Sequence, residues 1–311
     1  MLMRSVFLYL ARSRTARQVL MRLPGAQRMA RRFVAGETLA QGIEAVRALN
    51  ARGLLATLDH LGENVVTETD AARAMQDYLD LLDAIDRSGV NTNVSLKLTQ
   101  LGLDISFEVC LNNMRCILER AAHYGNFVRI DMEGSAYTEQ TLRLYRTLRD
   151  QHGFRNVGVV IQAYLYRSFD DARALAEEGA NIRLCKGAYK EPPSIAFPEK
   201  RDVDANFVKL AEYFLSPEAR ERGAYIGVAT HDDNMINAVK NYAAAQVIPK
   251  DRFEFQMLYG VRSAAQKALA AEGYKVRVYV PYGTEWYPYF MRRLAERPAN
   301  VWFIVRNFFR N

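Results

Sequence analysis

Along most of the chain, short apolar runs alternate with longer segments in which apolar residues recur at the three- to four-residue spacing of a helix. The short runs have the length of strands, and the run at 181–185 is typical of a strand that is covered on both faces in a parallel sheet. We predict eight strands, at 54–61, 92–98, 127–133, 157–164, 181–186, 224–231, 252–258 and 275–281. The helical spacing predicts helices at 68–88, 107–124, 139–151, 170–178, 203–215, 233–246, 263–272 and 286–297.

Eight strand–helix units over about 250 residues are what a (β/α)8, TIM-like barrel requires. The predicted fold is therefore an α/β barrel at 53–311, preceded by a short N-terminal helical arm at 1–52. A doubly wound open sheet is the alternative, but the chain has neither G-x-G-x-x-G nor G-x-x-x-x-G-K-[ST], the usual nucleotide fingerprints of such sheets. Capping residues precede several predicted helices: Thr67, Ser106, Thr138 and Asp202.

Composition agrees with a single large domain. The chain has 311 residues, of which 50% are hydrophobic, so it can bury an extensive core. Its three cysteines, Cys110, Cys116 and Cys185, are too few for a disulfide framework and indicate a reducing compartment. Cys110 and Cys116 do not have metal-site spacing, and we expect no metal. No apolar run reaches the roughly 18 to 20 residues that a membrane span needs.

The formal net charge is +7, and much of the excess lies at the front of the chain. Residues 1–36 contain no acidic residue and eight arginines: Arg4, Arg12, Arg14, Arg17, Arg22, Arg28, Arg31 and Arg32. This pattern is compatible with a helix that lies on anionic lipid, with an organelle transit peptide, or with a solvated arm packed on the main domain. We predict no nucleic-acid partner, because no aromatic residue interleaves with the arginines between Tyr9 and Phe33 and no nucleic-acid motif follows.

Polar residues recur in the second half of the predicted strands. Barrel enzymes carry their active sites at the carboxyl ends of the strands, so these side chains predict one polar site at that mouth. They are, strand by strand, Asp59, Lys97, Asp131, Gln162, Arg183, His231, Gln256 and Tyr279. Any single one of them is also compatible with a satisfied polar group in the core.

The charges within this set indicate the kind of ligand. Arg183 lies inside an apolar strand, where an unpaired guanidinium costs several kcal/mol, so it needs a counter-charge or a ligand that supplies one. Lys186 and Gly187 follow directly, and a glycine backbone beside a lysine suits phosphate. Arg292 and Arg293 lie on the last predicted helix with Glu296 within helical reach, and two guanidinium groups plus a lysine suit a carboxylate. Solvated ion pairs are the alternative.

Seven motifs along the chain resemble those of the proline dehydrogenase family. They are S-L-K-L-T-Q-L-G, V-R-I-D-M-E, V-I-Q-A-Y-L-Y-R, I-R-L-C-K-G-A-Y-K-E, V-A-T-H-D, F-E-F-Q-M-L-Y-G and V-Y-V-P-Y-G-T-E-W-Y-P-Y-F-M-R-R-L-A-E-R-P-A-N. They run in order through essentially the whole predicted barrel, and together they are highly specific. The resemblance implies an FAD-containing barrel that oxidises L-proline to Δ1-pyrroline-5-carboxylate, the first step of proline catabolism to glutamate. It also implies that the electrons pass to a membrane quinone.

The resemblance also assigns roles to individual residues. It implies that Arg183 lies against the flavin and stabilises negative charge there, and that Asp131 is the catalytic carboxylate that orients the cationic cluster. The further cofactor contacts that it implies are Met132, Gln162, Lys186, Gly187, Ala188, Thr230 and His231. The substrate contacts that it implies are Lys97, Leu258, Tyr279, Tyr289, Arg292 and Arg293. Glu63 is implied to pair with Arg292 as a gate over the bound substrate.

The sequence resembles the monofunctional bacterial type of the family, for which we expect neither an aldehyde dehydrogenase module nor a DNA-binding arm. We therefore expect the product to pass to a separate pyrroline-5-carboxylate (glutamate semialdehyde) dehydrogenase. The expected location is the cytoplasm, with peripheral contact at the inner face of the cytoplasmic membrane as an open alternative. The arginine-rich front resembles the short helical lead of this type more than a transit peptide.

Two other functions remain open from the sequence. One is a barrel aldolase, in which Lys97 or Lys186 forms a Schiff base with an anionic substrate. The other is a non-catalytic basic module that docks on membrane or nucleic acid through residues 1–36.

Overall fold

The computed structural model describes residues 30–296, with side chains described up to residue 293. Eight parallel strands hydrogen-bond in chain order and close into a barrel, because β8 pairs with β1 and sets Leu58 beside Val280. The strands are β1 Leu55–His60, β2 Thr92–Leu96, β3 Val128–Ile130, β4 Val157–Gln162, β5 Asn181–Cys185, β6 Tyr225–Ala229, β7 Phe253–Leu258 and β8 Lys275–Tyr282. The predicted α/β barrel is confirmed, and the pairing of β8 with β1 excludes an open sheet.

Helices connect the strands and cover the outside of the barrel. They are α1 Leu39–Asn50, α2 Glu68–Ser88, α3 Phe107–His123, α4 Thr138–Arg146, α5 Ser168–Glu177, α6 Lys200–Phe214, α7 Pro217–Glu221, α8 Asp233–Ala245, α9 Ser263–Ala271 and α10 Trp286–Glu296. All eight helices predicted from the apolar spacing are present. The short α7, which begins with a proline in its first turn, has too few residues to produce a periodic pattern.

Two of the four predicted caps are confirmed and two are wrong. The Thr67 and Ser106 hydroxyls accept hydrogen bonds from the backbone N–H of the third residue of α2 and α3, at 3.1 and 3.0 Å. Thr138 is instead the first residue of α4, and its buried hydroxyl has no hydrogen-bond partner among the described residues. Asp202 lies in the first turn of α6, which begins at Lys200, where its charge still favours the helix dipole.

The core is one contiguous cluster between the strands and the helices around them. In α2, for example, Leu81 and Leu82 are fully buried and lie on the apolar face of the helix. A second cluster lies at the carboxyl mouth and joins residues 30–34 to α10 through Phe33, Trp286 and Phe290. This packing sets the position of α10 over the barrel, and with it the position of the arginines that α10 carries.

At the amino ends of the strands, polar side chains fill the barrel interior. Arg277 donates to the Glu254 carboxylate at 2.7 Å, and Arg129 donates to the backbone carbonyl of Val159 at 3.0 Å. Residues at the amino end of a barrel commonly stabilise the fold and do not take part in catalysis. The charged residues at the opposite end form a separate group, which is described below.

The predicted arm lies only partly within the described residues. The eight arginines of the front segment fall mostly in residues 1–29, which lie outside them. Helix α1, at the end of the predicted arm, packs against the barrel through Ile43 and Val46 and shields β1. Gly42 allows this approach, because a Cβ there would lie only 3.2 Å from the Tyr282 ring. Within residues 30–296, no helix combines the length and the apolar character needed to cross a membrane.

Candidate active site

A cavity of about 810 Å³ opens at the carboxyl ends of the barrel strands. Its volume is typical of sites for small molecules and cofactors. The predicted site residues that line it are Lys97, Asp131, Met132, Gln162, Arg183, Lys186, Gly187, Ala188, Thr230, His231, Leu258, Tyr279, Tyr289, Arg292 and Arg293. Two residues predicted at this mouth do not line the cavity: Glu63 contacts Arg292, and Asp59 is fully buried and pairs with Lys97. The barrel thus gathers the predicted basic residues at one mouth.

Arg183 is held by hydrogen bonds from three other strands or strand ends. Its Nη1 donates to Asp131 Oδ1 at 2.5 Å and to Ser95 Oγ at 3.2 Å, and its Nε donates to Gln256 Oε1 at 2.5 Å. The side chain is 8% exposed. The counter-charge that the sequence required for this buried guanidinium is Asp131, and the remaining exposed part of the side chain lines the cavity.

Tyr279 completes the surroundings of Asp131. Its hydroxyl donates to Asp131 Oδ2 at 2.8 Å, and its ring centre lies 5.1 Å from Cζ of Arg183. Burial, together with the nearby carboxylates of Asp131 and Asp59, raises the pKa of Tyr279 well above its usual value. The phenol therefore stays protonated as a donor, and both carboxylate oxygens of Asp131 are engaged.

Lys97 reaches the cavity from the end of β2. Its Nζ lies 3.4 Å from Oδ2 of Asp59, which is fully buried. Burial alone would lower the pKa of Lys97, but the carboxylates of Asp59 and Asp131 outweigh it and raise the pKa above its usual value. A lysine held as the ammonium ion suits a carboxylate ligand and is a poor nucleophile.

The ion pair between Arg292 and Glu63 joins α10 to the loop that follows β1. Arg292 Nη1 lies 3.1 Å from Glu63 Oε1, and both side chains are partly buried. Burial alone would lower the pKa of Arg292, but the Glu63 carboxylate raises it above its usual value. The alternative partner expected from helical spacing, Glu296, has its side chain outside the described residues.

A second charged group lies at the end of β5. Lys186 Nζ is 2.5 Å from Asp204 Oδ1 and 2.7 Å from Asp232 Oδ2. The hydrogen bond from Lys186 lowers the pKa of Asp232 to about 2. Gly187 beside it has φ of +116°, and a Cβ there would lie 2.3 Å from the Tyr164 ring. Only glycine fits this close approach, which leaves the backbone at 187 open toward the cavity.

The remaining cofactor candidates are fixed by backbone contacts. His231 Nε2 accepts a hydrogen bond from the Leu258 amide at 3.0 Å, so its imidazole is oriented by the neighbouring strand. The Thr230 hydroxyl accepts from the Asp232 amide at 3.1 Å. Gln162 donates from Nε2 to the Glu133 carbonyl at 2.9 Å, which sets the amide side chain across the space between β4 and the end of β3.

Sequence reasoning missed several carboxylates of this mouth. Asp232 and Asp204 bind Lys186, and Glu133 lies buried just after Met132. Asp232 directly follows His231 at a strand end, and Glu133 follows Asp131 by two positions, so strand-end position could have found both. Asp204 lies inside α6, and its spacing predicts only the exposed pair that it forms with Lys200. Within residues 30–296, no group of His, Cys, Asp or Glu has the arrangement of a metal site.

Comparison with family models identifies one match over most of the chain. The model described as proline dehydrogenase matches residues 42–306. Proline dehydrogenase 1 of Bacillus subtilis (strain 168) is 45% identical over 305 residues, which are 98% of both chains. The proline dehydrogenase of Deinococcus radiodurans is 44% identical over 281 residues, which are 89% of both chains.

A solved structure supports the same relationship. Proline utilization A of Bdellovibrio bacteriovorus, inactivated by N-propargylglycine, superposes with a TM-score of 0.79 at 28% identity. The alignment covers 86% of this chain and 32% of that one, so the similarity concerns one part of a much longer protein.

Proposed function

Because the chain belongs to the proline dehydrogenase family, we propose that it oxidises L-proline to Δ1-pyrroline-5-carboxylate at the carboxyl mouth of the barrel, with FAD as the bound cofactor. The observation that carries this proposal is the arrangement of Lys97, Arg183 and Arg292 around one cavity. Such an arrangement offers cationic groups both to a small carboxylate and to an electron-rich ring system.

The lining of the cavity fits FAD. Lys186 and the open backbone at Gly187 suit the pyrophosphate, because a lysine and unhindered amide groups bind phosphate oxygens well. Ala188, Thr230 and His231 would contact the remainder of the nucleotide. Asp232 and Asp204 hold the Lys186 side chain next to this region through two ion pairs.

A second part of the lining fits the flavin ring. Gln162, Met132 and Arg183 would contact it from the strand ends. Gln162 and Arg183 are already held by neighbouring groups, so neither needs to reorganise when the cofactor binds. Bound there, FAD supplies the acceptor for the hydride that leaves the carbon beside the proline nitrogen.

Substrate recognition falls to the groups nearest α10. Lys97, Arg292 and Arg293 would hold the proline carboxylate from several sides, and such positioning can supply several kcal/mol toward the reaction. Tyr279, Tyr289 and Leu258 would form the wall around the pyrrolidine ring. Arg293 stands close to this wall, with Cζ 5.0 Å from the centre of the Tyr289 ring.

Three groups act during turnover. Arg183 would place its positive charge where negative charge develops, and Asp131 holds that guanidinium in position. The ion pair between Glu63 and Arg292 would close the cavity once proline is bound. The proton of the proline amine would leave to solvent.

The wider role follows from the reaction. The electrons would pass to a membrane quinone, and the product to a separate pyrroline-5-carboxylate dehydrogenase. We place the enzyme in the cytoplasm, with peripheral contact to the inner face of the membrane through the arginine-rich front of the chain.

The visible spectrum of the purified protein tests this function. A flavin absorption band that disappears on anaerobic addition of L-proline is the expected result, and addition of D-proline is the matched control. A colourless protein, or a flavin band that L-proline leaves unchanged, would overturn the proposal. Trapping of the substrate on Lys97 or Lys186 by borohydride would instead show a Schiff base and support the aldolase alternative.

A further inference from the structure

Glu133 is a buried carboxylate at the site to which the proposed reaction gives no role. It is 6% exposed and directly follows Met132, which lines the cavity. Its Oε1 accepts a hydrogen bond from the Thr99 hydroxyl at 2.8 Å. Its Oε2 is buried and has no hydrogen-bond partner among the described residues. Burying a carboxylate with only one of its oxygens hydrogen-bonded lowers the stability of the fold. If this position served only packing, an apolar residue would give a more stable fold.

Thr99 connects this carboxylate to the loop that carries Glu63. The backbone N–H of Asn64 donates to the Thr99 hydroxyl oxygen at 3.2 Å, and the N–H of Val65 donates to the Thr99 carbonyl at 3.2 Å. A hydroxyl has one hydrogen, and here that hydrogen points to Glu133. The lone pairs of the hydroxyl are therefore directed at Asn64, whose amide they hold.

The loop that carries Glu63 also contacts Gln100, the residue that follows Thr99. Gln100 Nε2 donates to the carbonyl of His60 at 3.2 Å, and a Cβ at Gly62 would lie 2.4 Å from that amide nitrogen. Asn64 has φ of +57°, a left-handed conformation that asparagine tolerates but that needs support from its surroundings. The position of Glu63, between Gly62 and Asn64, is thus set by contacts on both of its sides.

We propose that Glu133 and Thr99 are positioning residues of the gate: Glu133 orients the Thr99 hydroxyl, the hydroxyl holds the backbone of Asn64, and this sets Glu63 within reach of Arg292. The proposal rests on the proposed function, in which the Glu63–Arg292 pair closes over proline. Neither Glu133 nor Thr99 lines the cavity, so both act through the gate loop and not on the substrate.

Protonation of Glu133 would make the hydrogen bond that orients Thr99 dependent on pH. Burial raises the pKa of Glu133 to about 7, although the Thr99 hydrogen bond and the charge of Lys97 oppose this effect. Titratable or charged groups that face Glu133 from the surrounding elements are Lys97, Glu63, Asp131, Tyr189, Tyr137 and Cys110. A protonated carboxyl is a weaker acceptor than a carboxylate, so the hold on Thr99 weakens as pH falls below the pKa.

Steady-state kinetics with proline form the first test. Thr99→Val removes the hydroxyl and keeps the volume, and we expect KM to rise about five- to tenfold, the effect of one hydrogen bond, while kcat changes less than about twofold. Thr99→Ser restores the hydroxyl and should bring KM back toward the wild-type value. Thr138→Val is the matched control, because Thr138 is equally buried and its hydroxyl has no partner within residues 30–296.

A double-mutant cycle distinguishes positioning from a general loss of structure. If Thr99 acts through Glu63, Thr99→Val should add nothing to KM in a Glu63→Gln background. Additive effects of the two substitutions would overturn the proposal. Hydrogen exchange gives a readout that needs no turnover: the Asn64 amide should exchange faster in Thr99→Val and at the wild-type rate in Thr138→Val.

The pH dependence of KM for proline tests whether Glu133 orients Thr99 through its charge. We compare KM for proline in Glu133→Gln with KM in wild type as a function of pH. The ratio of the two values should be largest near pH 8, where Glu133 is ionised, and should approach one near pH 6. A ratio that does not change with pH would contradict the role of the Glu133 charge.

Failure of the proposed function has a different signature, namely a wild-type flavin spectrum that proline does not change. Unaltered exchange at Asn64 in Thr99→Val would overturn the inference whichever way that spectrum behaves.

Discussion

Arg183 in the middle of β5 donates a 2.5 Å hydrogen bond to Asp131, which follows β3. The two residues are separated by 52 positions and by strand β4, and they meet because parallel strands of a barrel direct their carboxyl ends to one mouth. This pair compensates the charge of a buried guanidinium and still leaves part of the Arg183 side chain facing the cavity.

Arg183→Ala should lower turnover more than it weakens substrate binding. The guanidinium would stabilise charge that develops during the reaction, and removal of one such group commonly costs about 10²- to 10³-fold in kcat. The measurement is kcat and KM for proline, corrected for the flavin content of each preparation, because Arg183 also contacts the proposed cofactor site. A large rise of KM with unchanged kcat would contradict this role.

Arg292→Ala should mainly raise KM for proline. It removes the charged donor that we propose for the proline carboxylate and also breaks the pair with Glu63 at 3.1 Å, so a rise of KM of about 10- to 100-fold is expected. Arg173→Ala is the matched control, because Arg173 is an exposed arginine of α5 whose one ion pair within residues 30–296 is with its helical neighbour Asp170 at 3.3 Å. Equal losses in kcat and kcat/KM would argue that Arg292 acts in the transition state instead.

Lys97→Met should destabilise the fold as well as weaken proline binding. It leaves Asp59 buried at 0% exposure without its cation, and breaking a buried pair in this way commonly costs about 3 to 5 kcal/mol. The double variant Asp59→Asn with Lys97→Met should recover much of this loss, which thermal unfolding would detect. A Tm for Lys97→Met equal to that of wild type would show that Asp59 is compensated by another group.

Glu133 should make the fold less stable as pH rises through the weakly acidic range. Its pKa is raised from 4.5 in the unfolded chain to about 7 in the fold, so between these values the folded state binds more protons than the unfolded state. The free energy of unfolding therefore decreases with pH in this window, and Glu133→Gln removes that decrease.

The comparison that isolates this effect is the difference in Tm between Glu133→Gln and wild type. It should grow in favour of the variant from pH 5 to pH 8, with its change centred between the two pKa values. A difference independent of pH would show that Glu133 titrates in the fold as it does in the unfolded chain.

The architecture could be predicted from the sequence because the spacing of apolar residues within each short segment determines whether that segment forms a strand or a helix. Strand β5 and its neighbours are apolar runs, and helices such as α2 carry apolar residues at helical spacing after the cap Thr67. Burial of apolar faces in alternating strands and helices leaves few architectures other than the barrel, and the repeated polar residue near each strand end predicts a site at that mouth. The positions of Lys97, Asp131 and Arg183 near strand ends are enough to predict that all three lie at this mouth.

Only the tertiary structure decided which of these residues pair with each other. Helical spacing identifies only Glu296 as a residue within reach of Arg292, and Glu63 was implied as a partner only by the family resemblance. The fold brings Glu63, 229 positions away in the sequence, to hydrogen-bonding distance of Arg292. The predicted caps Thr138 and Asp202 are wrong because both residues lie within the first turn of α4 and α6, and the residues that precede these helices make no capping hydrogen bond. Local sequence determines which segments become strands and helices. Closure of the barrel then brings distant strand ends together. Because an unpaired buried charge is costly, charged side chains that become buried there must pair with each other. The hydrogen bonds that connect Glu133 through Thr99 to the gate loop join residues far apart in the sequence, so they form only in the folded chain.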